Sequence, residues 1–147
     1  MKRTEGAPGL RRFLDAQEES YERALGEIRA GRKQTHWMWY IFPQIAGLGS
    51  SAMAGYYAIR DLKEAKDYLA HPVLRGRLVE SCEALLGLPD SNPSRVMGYP
   101  DDLKLRSSMT LFAAAEPENQ VFQRVLDQFY GGRPDGRTLE ILREQGI

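Results

Sequence analysis

Apolar residues recur along this chain at steps of three, four and seven, the period of one helix face, with polar residues between them. Leu10, Phe13, Leu14, Tyr21, Ala24, Leu25 and Ile28 form the clearest stripe. Gly31 ends it, because glycine readily takes the left-handed conformation that closes a helix. Arg12, Asp15, Glu19, Glu22 and Arg29 occupy the opposite face. Ser50 or Ser51 is placed to cap a helix running to about residue 59, and Asp61 another to about 70, with Glu64 three residues on. His71-Pro72 opens the next, since proline suits the first helical position, and Val73, Leu74, Leu78, Cys82, Leu85 and Leu86 are its stripe. Behind Asn92-Pro93 one short turn is expected. Asp101 and Asp102 then cap and charge the start of a helix over about 101–115. A further helix is expected over about 117–130, and Asp135 caps a last one. No alternating strand is convincing. The pattern predicts an all-α, compact multihelical single domain of about six to eight helices over 9–147, behind a flexible N-terminal arm over 1–8.

One stretch breaks this period. Residues 37–42, Trp-Met-Trp-Tyr-Ile-Phe, are six consecutive large apolar or aromatic side chains. A surface helix cannot hide such a run on one face, so it must be buried nearly all round or wrap a pocket. The segment around it, 33–51, also holds both tryptophans, His36, Gln44 behind Pro43, and a glycine-serine turn. It is the expected centre of the fold and of any site.

Composition narrows the function classes. At 147 residues the chain reads as one domain able to bury roughly 70% of its unfolded surface. It is 42% hydrophobic and 27% charged, near the average for soluble domains. No apolar run approaches the roughly 18 residues a membrane helix needs, so no membrane association is expected. The N-terminus shows no secretory pattern. A single cysteine, Cys82, excludes an internal disulfide and fits a reducing cytoplasm; it falls on an apolar stripe, which points to packing. Twenty basic residues balance twenty acidic ones, whereas a duplex binder carries a strong positive excess. No nucleic-acid partner is expected. A local basic pocket for one small anion remains compatible.

The candidate chemistry is sparse. His36 and His71 lie in different elements and no metal-binding spacing exists, so neither metal nor cofactor is expected. Asp101-Asp102 reads better as helix capping than as a magnesium site. The loop Gly47-Leu48-Gly49-Ser50-Ser51 leads into a helix; it is either a plain turn and cap or a cradle for an anion. Lys104, Ser107, Ser108 and Leu111 share one helix face. The serines either let another helix approach closely or point with Lys104 into a cavity, and a Ser-Lys nucleophile pair is geometrically possible at that spacing. His36 beside Trp37 can act as an acid or base, or pin the loop through a carbonyl. Trp37 and Trp39 are either core or faces on which a flat ligand stacks. Gln17 and Gln44 both need hydrogen-bond partners if buried. Arg32 and Lys33 form a solvated end, complement a helix terminus, or line the mouth of an anion pocket.

With the elements placed, three segments taken in order carry a family resemblance: FLDAQEESYERALGEIRAGRKQTHWMWYIFPQIAGLGSS, YYAIRDLKEAKDYLAHPVLRGRL and DDLKLRSSMTLFAAA. They resemble the bacterial domain-of-unknown-function 1810 family over about 13–142, and the HWMWYIFPQ block is the distinctive part. The resemblance implies a compact all-α domain and no characterised activity. Members are sometimes labelled calpastatin, but calpastatins are long, disordered protease inhibitors, unlike this compact, aromatic-rich chain.

Two functional expectations result. In the first, a pocket between helices is walled by Trp37 and Trp39, and His36, Gln44, Ser50, Ser51, Lys104 and Ser107 converge on a flat, anionic, nucleotide-like small molecule. If the protein is an enzyme, His36 serves as acid or base and Lys104 as the electrostatic stabiliser. In the second, the aromatic block is simply core, and the protein is a non-catalytic protein–protein interaction module. A monomer or weak homodimer is expected in either case.

Overall fold

The computed structural model describes residues 9–146, so the expected arm over 1–8 lies outside the described residues. The fold is all-α. Its helices are α1 (Arg11–Arg29), α2 (Met38–Ile41), α3 (Ala52–Tyr56), α4 (Leu62–Ala70), α5 (Pro72–Leu86), α6 (Pro93–Met97), α7 (Asp101–Ala115), α8 (Val121–Tyr130) and α9 (Gly136–Glu144). Of these nine helices among the described residues, α2, α3 and α6 are little more than single turns. The one extended pairing among the described residues is an isolated parallel bridge between Ile45 and Ile59.

Most capping residues work as the sequence predicts, but Asp101 and Asp102 only charge the first turn of α7: Pro100 stands at its cap, no side chain caps it, and Asp102 instead accepts the Ser94 hydroxyl at 2.9 Å. Asp61 accepts the Glu64 N–H at 2.9 Å, and the Glu64 carboxylate accepts the Arg60 N–H at 2.7 Å, which satisfies two otherwise orphaned donors. The His71 imidazole accepts from the N–H groups of Val73 and Leu74, so its role is to start α5. Asp135 accepts the Thr138 N–H at 3.0 Å. Gly31 and Gly131 follow α1 and α8 with φ of +78° and +64°, where a β-carbon would be strained.

α7 is the central element. It is buried on nearly every face and packs against α4, α6, α8, α9 and, at its start, α2. Ser107, Ser108 and Thr110 are buried in it; Ser107 and Thr110 donate their hydroxyls to carbonyls one turn back, at 3.2 and 2.8 Å. Around α7 the core joins Phe13, Trp37, Phe42, Tyr68, Phe112 and Phe122, with α1 laid on α5 and α2. Gln17 is buried between them, donating to the Tyr40 carbonyl at 2.7 Å and to the Tyr68 hydroxyl at 3.0 Å.

Three local expectations need correction. α3 stops at Tyr56 and does not reach residue 59. Ile59 is drawn into the bridge, donating to the Gln44 carbonyl and accepting from the Ala46 N–H, both at 2.8 Å. α8 begins at Val121 because the chain turns after Pro117 and Asn119 accepts the Val121 N–H at 3.1 Å. Arg12 falls on the polar face of α1, yet its side chain is only 3% exposed. Its guanidinium donates to the carbonyls of Gly9, Tyr56 and Ala58 and lies 3.5 Å from the Glu64 carboxylate. A fork of donors matched by carbonyls can be buried, and here it staples the end of α3 to α1. No helix among the described residues is long and apolar enough to cross a membrane.

Candidate functional site

The segment that breaks the helical period leaves α1 at Gly31 and is tied down immediately. Lys33 donates its backbone N–H to the Val96 carbonyl at 2.7 Å, fixing the strand of chain to α6. Glu27, near the end of α1, then gathers the turn. Its carboxylate accepts from the N–H groups of Gln34 (2.7 Å) and Thr35 (3.0 Å), the Thr35 hydroxyl (2.6 Å) and the Trp37 indole (2.8 Å). Burial pushes its pKa up, but these donors outweigh it, the Thr35 hydroxyl foremost, and leave it lowered from 4.5 to about 2. With its indole N–H satisfied, Trp37 is 1% exposed and lies against Phe42. Met38, Tyr40, Ile41 and Phe42 are buried too. Trp39 alone of the block is half-open to solvent.

Trp39 marks the edge of a concave cavity of about 350 Å³. Its other walls are Gln44 and the loop through Gly49, then Ala54 and Gly55 of α3 with Tyr57 beyond it. α7 supplies Leu103, Lys104 and Ser107, and the start of α9 supplies Asp135 and Arg137. The loop is pressed close. A β-carbon on Gly49 would lie 2.8 Å from that of Ala54, and Gly47 has φ of +104°.

Of the expected site residues, the cavity brings together Trp39, Gln44, Lys104 and Ser107. Four others lie elsewhere. Trp37 is core, sealed by its neighbours and by Glu27. His36 is exposed outside the cavity, and its carbonyl takes the Tyr40 hydroxyl at 3.4 Å. Ser51 caps α3 by accepting the Ala54 N–H at 3.1 Å, and Ser50 is exposed beside it. Asp135 was read only as a cap and Arg137 was not singled out; the fold, not any local signal, carries them to the cavity.

The electrostatics are local. The Lys104 ammonium lies 3.7 Å from the Trp39 ring centroid and 3.3 Å from Asp101 Oδ1. Arg137 is already paired with Glu140 at 2.7 Å, and one Asp135 oxygen holds both the N–H and the hydroxyl of Thr138. The Gln44 carboxamide has no hydrogen-bond partner among the described residues, whereas the Gln44 backbone carbonyl accepts the Ile59 N–H at 2.8 Å. Ser107 donates to the Leu103 carbonyl and not to Lys104, so the Ser-Lys pair is not formed. This arrangement offers stacking, one cation and amide and hydroxyl groups, but no imidazole. Cys82 takes no part: it is buried 3.6 Å from the Met109 sulfur, and burial pushes its thiol pKa up. Among the described residues no three His, Cys, Asp or Glu side chains gather in a metal-binding group.

Comparison with known proteins agrees with the fold. The crystal structure of the conserved hypothetical protein Rv1873 from Mycobacterium tuberculosis is similar to this chain, with 47% identity and a TM-score of 0.89. The alignment covers 91% of this chain and 96% of that one. No curated protein matches. The family described as "Protein of unknown function (DUF1810)" matches residues 7–142. With nearly the whole chain matched, the protein belongs to the DUF1810 family.

Proposed function

We propose that the protein binds a flat, anionic small molecule, nucleotide-like in shape, in the cavity between α2, α3, α7 and α9. The observation that carries this reading is a cavity of about 350 Å³ with the half-open Trp39 ring, the Lys104 ammonium and an unpartnered Gln44 carboxamide on its walls. Ligand sites are concave and largely apolar, with a few convergent polar groups, and run from roughly 300 to 1,000 Å³. This one is at the small end. It suits one or two ring systems bearing one acidic group rather than a dinucleotide. Trp39, Leu103 and Tyr57 give apolar area, Gln44 reads an edge of the ring, and Lys104 takes the charge. Ser107, with its proton directed at Leu103, offers lone pairs to a ligand donor. Because no imidazole lines the cavity, the reading is recognition, with no reaction assigned.

The test is a thermal-shift screen of nucleotides, ADP-ribose derivatives and aromatic acids against the purified protein. A ligand that prefers the folded form raises the melting temperature. Two variants tie the effect to the cavity. Gly55 lines it, and a β-carbon there meets no heavy atom within 4 Å, so Gly55→Trp fills the mouth without a clash at its root. Lys104→Met keeps the stem and removes the charge. Both should melt close to the wild type and lose the ligand-induced rise. A rise that survives Gly55→Trp refutes the reading.

A second reading has its own observation. Tyr99, Tyr56, Leu103 and Met53 are large, apolar and exposed, Tyr99 by 80%. An interaction module would cover them. Sedimentation equilibrium of the wild type against a Tyr56→Ser/Leu103→Ser variant checks for self-association through these residues.

A further inference from the structure

Lys104 is not alone with its counterion. Asp101, at the first position of α7, faces two ammonium groups: Lys33 Nζ lies 2.8 Å from Oδ2, and Lys104 Nζ lies 3.3 Å from Oδ1. One carboxylate between two cations leaves the trio with a surplus positive charge. Which lysine holds Asp101 is settled by burial. The Lys33 side chain is 8% exposed and that of Lys104 22%. A buried ammonium stripped of its counterion is costly, whereas one that can turn toward an open cavity is not. Lys33 is held besides by the Thr35 carbonyl at 2.7 Å and by the face of Trp37 at 5.1 Å. Lys104 has the longer ion pair, and it is the one that lines the cavity.

We infer that Lys33 is a positioning residue for the ligand's anionic group: by holding Asp101 it leaves the charge of Lys104 available to a carboxylate, sulfonate or phosphate in the cavity. The inference rests on the ligand-cavity reading above and gives it a place for the charge. The opposite wall is net negative: Arg137 is met by Glu140 at 2.7 Å and Glu144 at 4.0 Å, and the Asp135 carboxylate lies beside it. The anion therefore seats at the Trp39–Lys104 end. Lys33 would never touch it, and the aromatic segment contributes to the site from behind, through the charge on its first residue.

The experiment uses two fluorescent probes that differ in charge: 8-anilinonaphthalene-1-sulfonate and its uncharged counterpart N-phenyl-1-naphthylamine. Titrations at low salt are run on the wild type, Lys33→Met, Asp101→Asn, the double variant and Lys33→Arg. The wild type should prefer the sulfonate. Lys33→Met turns Asp101 wholly onto Lys104 and should weaken the sulfonate on the order of tenfold, with the neutral probe unchanged. Asp101→Asn frees both lysines and should tighten the sulfonate. The double variant, with Lys104 alone and uncompensated, should return to the wild-type affinity or better, and Lys33→Arg should retain it. Loss of both probes together in Lys33→Met, or weakened sulfonate binding in Asp101→Asn, overturns the inference while the cavity stands. If neither probe binds the wild type, or if Gly55→Trp leaves binding intact, the cavity reading fails and this inference fails with it.

Discussion

Glu27→Gln is the perturbation whose consequence is most closely fixed by geometry. The Glu27 carboxylate takes four hydrogen bonds from Gln34, Thr35 and Trp37, and it alone satisfies the Trp37 indole N–H. Glutamine keeps the shape and one acceptor oxygen, but it removes the charge and turns an NH2 toward donors. The fall of the carboxylate pKa from 4.5 to about 2 corresponds to about 3 kcal/mol at face value. Since the group is partly open to water, about 1–2 kcal/mol is the magnitude expected at pH 7. The sign follows from linkage. The folded-state pKa lies below the unfolded one, so the stabilisation is complete above about pH 4.5 and drains away as the pH falls toward 2. The variant has no such group. Urea unfolding at pH 7, 5, 4 and 3, followed by tryptophan fluorescence and circular dichroism, should show a stability gap that narrows below pH 4.5. Acid effects elsewhere are common to both proteins and cancel in the difference. A gap that stays constant from pH 7 to 3, or no gap at pH 7, refutes the assignment of Glu27 as the group that organises this turn.

Other outcomes follow from single contacts. Arg12→Met takes the guanidinium from the buried Glu64 carboxylate, which keeps only its contacts to Arg60, and from the carbonyls of Gly9, Tyr56 and Ala58. It should cost about 3 kcal/mol in chemical denaturation and make residues 46–58 the first site of limited proteolysis. Gly49→Ala drives a β-carbon to 2.8 Å from that of Ala54 and should destabilise by about 1–3 kcal/mol. Gly55→Ala meets open space in the same region and should be neutral or stabilising by up to about 1 kcal/mol, measured in the same assay. Cys82, fully buried with its thiol pKa raised, should not react with a thiol reagent in native buffer and should react fully in urea.

Helix positions were readable because caps and stops are local. Asp61, His71 and Asp135 each begin an element for reasons contained within four residues, and Gly31 and Gly131 each end one. What could not be read is what tertiary contacts impose. The Arg12 guanidinium is buried because carbonyls 44 and 46 residues away happen to meet it, and no property of α1 encodes that. Ile59 leaves its helix for a bridge to Ile45 on the same grounds. The candidate site was half legible. The aromatic run correctly announced burial, but the run cannot say which indole faces outward. That choice is made by Glu27, ten residues before Trp37, which draws one indole inward and leaves Trp39 at the edge. Three roles were open to Lys33 in the sequence, a solvated end, a complement to a helix terminus or the mouth of an anion pocket, and the buried ion pair with Asp101 is none of them, because that partner lies far along the chain.

The claim on which the rest depends is that the space beside Trp39 is a binding site. A crystallographic fragment screen, with flat aromatic acids and their neutral amides soaked into crystals of the wild-type protein, tests it directly. The account predicts that acids occupy the cavity with the ring against Trp39 and the acidic group within reach of the Lys104 ammonium, while the amides occupy it weakly. Fragments scattered over the surface, with the cavity holding only water at the highest concentrations, would contradict it.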